Sequence, residues 1–198
     1  MTHALSILGG YLFGSIPFAL LVSRGLAGVD VRRAGSGNVG SANVLRTTGV
    51  AIALLVVVLD MAKGAGSVLL ADRWSAAASA PAVAGLAAIV GHVYPIWLRF
   101  RGGKGVATAC GVFAVLTPWA ALPAFALFVA TVWATRFVSL GSLVAALALG
   151  PIAYALAAPR ASWLAAAGAA ILIVFRHRSN VARLRAGTER RIGQRVRS

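Results

Sequence analysis

Long apolar stretches recur at 4–23, 50–71, 78–98, 139–157 and 161–175, the first four near the length of about 20 residues that crosses a hydrocarbon core as a helix and the fifth shorter. Lipid offers no hydrogen-bond partner to a backbone, so such stretches must satisfy their own N–H and C=O groups, and helices do this within one segment. Hydrophobic residues make up 60% of the chain and charged residues 12%, and the mean hydropathy is +0.86. That composition excludes a soluble globular domain. The first stretch carries no small-residue cleavage site and is followed by others, which identifies it as a retained helix rather than a signal peptide. One cysteine, Cys110, excludes a disulfide framework.

Charge decides how the remaining apolar region, 106–135 with Pro118 and Pro123, is threaded. If it crosses once, the tail with its eight arginines lies outside, against the positive-inside rule. If it goes out and back near Pro118, nearly all of the 19 basic residues share one side, leaving Arg73 and Arg160 on the other. The expected fold is therefore all-α, a polytopic membrane helical bundle of seven segments: 4–23, 50–71, 78–98, 106–117, 119–135, 139–157 and 161–175. The N-terminus lies out and the C-terminus in. Loops 24–49 and 99–105 and the tail 176–198 then face the cytoplasm, with 1–198 forming one domain. In a membrane chain the net charge of +15 reports topology and attraction to anionic lipid, not a nucleic-acid partner.

Between the first two spans runs Ala34-Gly35-Ser36-Gly37-Asn38-Val39-Gly40-Ser41-Ala42-Asn43-Val44-Leu45-Arg46-Thr47-Thr48. Glycine lets successive N–H groups turn toward one point, and a nest of this kind leading into a short helix capped by Ser41 is an anion cradle. Gly35-x-Gly37-x-x-Gly40 matches the dinucleotide fingerprint, but that motif needs a preceding strand, and an apolar helix stands there instead. A flexible linker is the plain alternative; Asn38, Asn43 and Arg46 count against it.

A second loop, Gly102-Gly103-Lys104-Gly105, is flanked by Arg99 and Arg101. No Ser or Thr follows Lys104 and no strand precedes the loop, so it is not a Walker A motif. A backbone cradle with a lysine point charge remains, against the alternative of a basic juxtamembrane turn. Asp60 and Lys63 lie three apart inside the second span and are placed to pair. His92, beside Pro95, is expected to bond a freed carbonyl. In the tail, His177, Asn180 and Leu184 share a face of a continued helix that Gly187 would end. His177 is open to three roles: base, phosphate ligand or structural donor.

Only four acids exist, Asp30, Asp60, Asp72 and Glu189, which excludes paired-carboxylate catalysis and an acid-rich metal site. No histidine has an aspartate five positions on, and the histidines and lone cysteine make no metal pattern. The inventory suits binding of two phosphate groups, either at a reaction site or along an anion-transport path.

Four of these motifs together resemble the bacterial acyl-phosphate-dependent glycerol-3-phosphate acyltransferases, the PlsY family: Gly35–Arg46, Asp60-Met61-Ala62-Lys63-Gly64, Gly91-His92 through Thr108, and Arg176-His177-Arg178 through Glu189. The resemblance implies acyl transfer from acyl phosphate to the 1-hydroxyl of glycerol 3-phosphate, giving 1-acylglycerol 3-phosphate (lysophosphatidate) and phosphate, without a cofactor or metal. It implies a multi-pass protein of the bacterial inner membrane, active site facing the cytoplasm, drawing acyl phosphate from a separate phosphate acyltransferase. By resemblance Ser36, Arg46, Lys104, His177 and Asn180 carry the chemistry. Gly35, Gly37, Asn38, Gly40, Ser41, Asn43, Gly102, Gly103 and Gly105 hold substrate. Asp60, Lys63, His92 and Glu189 are structural. Ala42 stands where the family usually has threonine, with Ser41 placed to take over the hydroxyl contact, and Arg101 replaces a usual lysine. Because an acyl phosphate is already activated, the expected mechanism uses a substrate phosphate oxygen as proton acceptor; His177 as base is the rival.

Overall fold

The structure, a computed structural model, describes residues 3–193; residues 194–198 of the basic tail lie outside the described residues. Every regular element among the described residues is helical, and the chain divides into two compact units, 1–116 and 117–198.

The first unit holds α1 (His3–Gly14), α2 (Phe18–Ala27), α3 (Ser41–Thr48), α4 (Val50–Trp74), α5 (Ala80–Val93), a single 3-10 turn (Ile96–Leu98) and α6 (Val106–Leu116). Here α1 packs on α5, and α4 packs on both α5 and α6. Small residues make these approaches close. Gly10 and Gly14 lie against the backbone of Ala84 and Ala88, and Gly111 against Met61, so that a Cβ at any of the three glycines would collide with backbone. Helices in lipid gain their association from such contact, since lipid tails are as apolar as the side chains they would replace.

The second unit holds α7 (Pro118–Thr135), α8 (Val138–Ala155), α9 (Arg160–Arg176) and α10 (Arg178–Arg185), with α8 packed between α7 and α9. His177 is the joint between α9 and α10, and its N–H still bonds the carbonyls of Ile173 and Val174. The continued helix expected past the last span is present with one bend in it. Gly187, at φ +68°, closes α10: its N–H bonds Leu184 O and the N–H of Thr188 bonds Arg183 O, the paired bonds of a Schellman ending.

Among the described residues five stretches are long and apolar enough to cross a membrane: His3–Ala27, Val50–Trp74, Ala80–Leu98, Pro118–Thr135 and Val138–Ala155. Large apolar side chains such as Leu54, Val58, Leu122, Phe125, Trp133 and Ile171 are exposed, as lipid contact requires. The break expected in 106–135 falls at Thr117, between α6 and α7, and α6 is about 16 Å long, half the hydrocarbon thickness. The first span is not one helix but two, interrupted at Ser15–Pro17. Proline lacks an N–H and cannot continue the ladder.

That interruption is tied to a buried ion pair. Lys63 Nζ lies 2.8 Å from Asp60 Oδ1, both side chains almost wholly buried, and donates to the carbonyl of Ile16, also at 2.8 Å, where the first span breaks. The ring of Phe18 faces the same ammonium at 5.6 Å. Breaking a buried pair from one side leaves an uncompensated charge, at a cost of about 3–5 kcal/mol. Lys63→Met is therefore expected to lower thermal stability in detergent strongly, and Asp60→Asn/Lys63→Met to recover much of the loss. A Lys63→Met protein as stable as wild type would contradict this assignment.

Candidate active site

The first glycine loop is held from below by apolar burial and from within by one amide. Val31, Val39 and Val44 are buried in a cluster with Ala19, Leu20, Ala53 and Val56. Asn43, 1% exposed, accepts at Oδ1 from the N–H of Ser36 (2.8 Å) and its hydroxyl (3.1 Å). Its Nδ2 donates to Val31 O (2.9 Å) and Ala34 O (3.0 Å). Both donors and the acceptor oxygen of Asn43 are thus engaged inside the loop. Gly35 sits at φ +62°, and a Cβ there would run into Asn43 Oδ1. Ser36 and Gly37 are exposed at the tip, Asn38 and Gly40 half-buried, and Arg46 lies on the exposed side of α3. The linker alternative does not survive this bonding. The cap of α3 is Gly40 in extended conformation, not Ser41, and no side chain caps it; Ser41 opens the helix instead.

The second loop packs on the first. Gly102 and Gly103 are buried, and a Cβ on Gly103 would meet both the His92 ring and Val39 O of the first loop. The N–H of Gly102 donates to Val93 O (3.1 Å) and that of Gly103 to His92 O (3.2 Å). Lys104 is half-buried and Gly105, at φ +85°, is buried at the head of α6. The backbone cradles expected of these loops are therefore partly closed. Ser36 and Gly37 donate to Asn43 Oδ1 and Ala34 O, and Gly102 and Gly103 to α5. An anion at these loops meets side-chain cations rather than those four amides.

Beneath both loops, His92 Nδ1 lies 3.5 Å from Asp60 Oδ1. Its ring faces a carboxylate, not the freed carbonyl expected near Pro95. Ser15, Pro17, Asp60, Lys63, Val39 and Gly103 border one small cavity of about 10 Å³. The broken span, the ion pair and the two loops are thus in register.

In the second unit, His177 and Asn180 are buried. His177 Nδ1 is 2.8 Å from Ile173 O; a carbonyl only accepts, so this nitrogen carries the proton and a neutral ring has its basic lone pair on Nε2. Asn180 Nδ2 donates to Glu189 Oε1 (2.6 Å), which also accepts from Ser139 Oγ (2.7 Å), and Arg183 Nε binds Oε2 at 2.7 Å. Burial pushes the Glu189 carboxyl up, but the three donors outweigh it and hold it below its ordinary value. Glu189 thereby fixes the rotamer of Asn180.

A feature not singled out from the sequence is a cleft of about 610 Å³ beside the first loop, lined by Arg32, Arg33, Arg99, Arg101, Gly37 and Trp97 among others. Its signal in the sequence was the placement of arginine pairs immediately before one glycine loop and beside the other.

Two outcomes follow from this geometry. Asn43→Ala leaves Ser36 and two carbonyls without their partner, so activity is expected to fall by about 100-fold or more while the melting temperature drops only modestly, because misplacement at a reacting group is that costly. Equal kcat/KM in Asn43→Ala and wild type would refute the positioning role. Glu189, lowered from 4.5, contributes stability that is fully present above that pH and lost as pH falls through the depressed folded value. Thermal unfolding from pH 7 to pH 3 is expected to show wild type losing stability in the acid limb and Glu189→Gln, less stable at neutral pH, losing less.

The sequence model for glycerol-3-phosphate acyltransferase matches residues 4–187. The chain is 46% identical to glycerol-3-phosphate acyltransferase 1 of Deinococcus radiodurans over 99% of this chain and 98% of that one. It is 50% identical to the glycerol-3-phosphate acyltransferase of Myxococcus xanthus over 96% and 100%. Its fold is similar to the crystal structures of PlsY (YgiH), an integral membrane glycerol 3-phosphate acyltransferase. In the glycerol 3-phosphate form the TM-score is 0.91 at 36% identity, covering 98% of this chain and 96% of that one; in the lysophosphatidic acid form it is 0.90 at the same identity. A transporter is thereby set aside: with matches along nearly its whole length, the chain belongs to the PlsY family of glycerol-3-phosphate acyltransferases, multi-pass enzymes of bacterial membranes.

Proposed function

We propose that this enzyme moves an acyl group from acyl phosphate to the 1-hydroxyl of glycerol 3-phosphate, releasing 1-acylglycerol 3-phosphate and phosphate. The observation that carries the reading is the packing of two glycine loops on each other in a chain with relatives and structural neighbours that are glycerol-3-phosphate acyltransferases. In this reading the hydroxyl oxygen attacks the acyl carbonyl carbon, the bond from that carbon to the phosphate oxygen breaks, and phosphate leaves. Arg46 and Lys104 neutralise the two phosphate groups and hold them within reaction distance. Ser36, its own proton directed to Asn43 Oδ1, presents an oxygen lone pair to the substrate hydroxyl. Gly35, Gly37, Gly40, Gly102, Gly103 and Gly105 keep the loops free of side chains that would exclude the substrates, and Asn38 and Ser41 offer polar contacts at the loop mouth. Asn43, in this assignment, positions rather than binds.

The proton passes to a phosphate oxygen of the substrate. Three of the four acids are already in ion pairs, Asp30 with Arg32, Asp60 with Lys63 and Glu189 with Arg183, which disfavours a carboxylate base. His177 as the base is the second reading, favoured by one observation: its Nδ1–H is fixed on Ile173 O, so the basic nitrogen is Nε2. Asn180, oriented by Glu189, acts with His177. Residues 1–198 act as one catalytic domain of seven segments in the inner membrane, with 106–135 entering and returning near Pro118, N-terminus out and C-terminus in, loops and tail at the cytoplasmic face. A separate phosphate acyltransferase supplies the acyl donor. The clustering of basic residues in those loops supports this orientation.

Purified enzyme in detergent is expected to acylate labelled glycerol 3-phosphate with acyl phosphate and not with acyl-CoA. Lys104→Ala and Arg46→Ala are expected to lose about 100-fold or more in kcat/KM, and His177→Gln to keep measurable turnover. A turnover supported equally by acyl-CoA would overturn the donor assignment. Loss confined to His177→Gln, with a titration near pH 6–7 in wild type, would shift the proton to the imidazole.

A further inference from the structure

The cleft lined by Arg32, Arg33, Arg99 and Arg101 is not used by the chemistry proposed above. It shares Gly37 with the first loop, but neither Arg46 nor Lys104 is among its lining residues. Four guanidiniums around one cleft of about 610 Å³ repel one another. Asp30 offsets one of them, Arg32, through a two-pronged contact at 2.9 and 2.6 Å. Among the described residues no carboxylate pairs with Arg33, Arg99 or Arg101. The backbone is also bent to bring the last two to the same wall. Arg99 and Phe100 both adopt the left-handed region, at φ 51° and 61°, a conformation that costs non-glycine residues about 1 kcal/mol or more each. The turn is fixed by the N–H of Phe100 on Pro95 O (3.0 Å) and of Arg101 on Leu98 O (3.1 Å). It leaves Phe100 exposed between the two arginines.

Beside these charges stand Trp97, 62% exposed, with Ile96 and Phe100 also exposed. Aromatic side chains next to cations are the composition of a membrane–water interface, where lipid phosphates lie. Arginine forks match phosphate oxygens in two-bond geometry.

We propose that this cleft is a docking site for a phosphate group, carried either on a membrane lipid or free in solution, held by Arg33, Arg99 and Arg101. Its occupancy does not depend on the acyl-transfer assignment, because the residues that hold it are different ones. Asp30 sets its strength: by engaging Arg32 it keeps the cleft from full positive charge, and its own carboxyl is held well below the usual carboxylate range, chiefly by the hydrogen bond from that guanidinium.

The test uses the full chain in maltoside detergent and a fluorescent phosphatidate as probe, competed by unlabelled phosphatidate, phosphatidylcholine or inorganic phosphate. Arg99→Gln/Arg101→Gln is expected to weaken probe binding about tenfold or more, as loss of charge-assisted bonds implies. Arg99→Lys/Arg101→Lys keeps the charge and is expected to restore much of it, which separates a binding loss from misfolding. Asp30→Asn is expected to tighten binding several-fold, an effect in the opposite direction that damage to the fold would not produce. Lys104→Ala is expected to leave the probe bound. Displacement by phosphatidate alone would assign the phosphate to a lipid headgroup, and displacement by inorganic phosphate at comparable concentration to a soluble anion; either supports the site. Unchanged binding in Arg99→Gln/Arg101→Gln, displacement by phosphatidylcholine as effective as by phosphatidate, or loss of the probe in Lys104→Ala alone would overturn it.

Discussion

The buried contact of Lys63 with Asp60 and with the carbonyl of Ile16 is the interaction on which the first unit depends. A charged pair in a membrane interior is costly to desolvate and is retained where it does something apolar packing cannot. Here it holds a backbone carbonyl that the Ser15–Pro17 interruption removes from the helical ladder. It also sets a carboxylate opposite His92, whose ring and backbone carbonyl form the floor on which Gly103 rests. One ion pair therefore joins a broken helix, α4, α5 and the second glycine loop. Leucine or methionine at 60 and 63 would pack as well, but could not bind Ile16 O.

Above that floor the two loops are rigid for different reasons. The first is stapled by Asn43, a side chain with a donor pair and an acceptor that together close four polar groups of its own loop. The second is stapled by its own amides to the end of α5. Both solutions withdraw backbone N–H groups from any ligand and leave recognition of anions to arginine and lysine. A cradle of amides recognises a phosphate through fixed dipoles; cationic side chains recognise it through charge and adjust to its position.

The helical class, the broken region at Thr117 and the pairing of Asp60 with Lys63 were legible in the sequence because each follows from local rules: apolar length, proline, and three-residue spacing on a helix. The break at Ser15–Pro17 was harder to read, because proline is tolerated in membrane helices when another group satisfies the freed carbonyl, and that group lies 47 residues away. The partner of His92 was misjudged for the same reason: Asp60 is on another helix, and only packing brings it to the ring. Asn43 was legible as a polar residue in a glycine loop, but whether its amide faces ligand or loop depends on the course of residues 31–36, which glycine-rich sequence leaves unspecified. The arginine cleft was missed because its members come from two segments that the sequence presents as ordinary juxtamembrane charge.

The scarcity of acids unifies these features. With four carboxylates against 19 lysines and arginines, the chain can neutralise few of its cations internally, and three of its acids are already assigned. Asp60 is committed in the interior, Asp30 tempers one edge of the cleft, and Glu189 orients Asn180. Among the described residues no carboxylate pairs with Arg33, Arg99 or Arg101. In the reading proposed above, phosphate groups from outside complete the electrostatics of these loops. Adding acids to these loops would therefore be expected to interfere with function even where it relieved repulsion, because each new carboxylate would compete for the positions that phosphate oxygens must occupy.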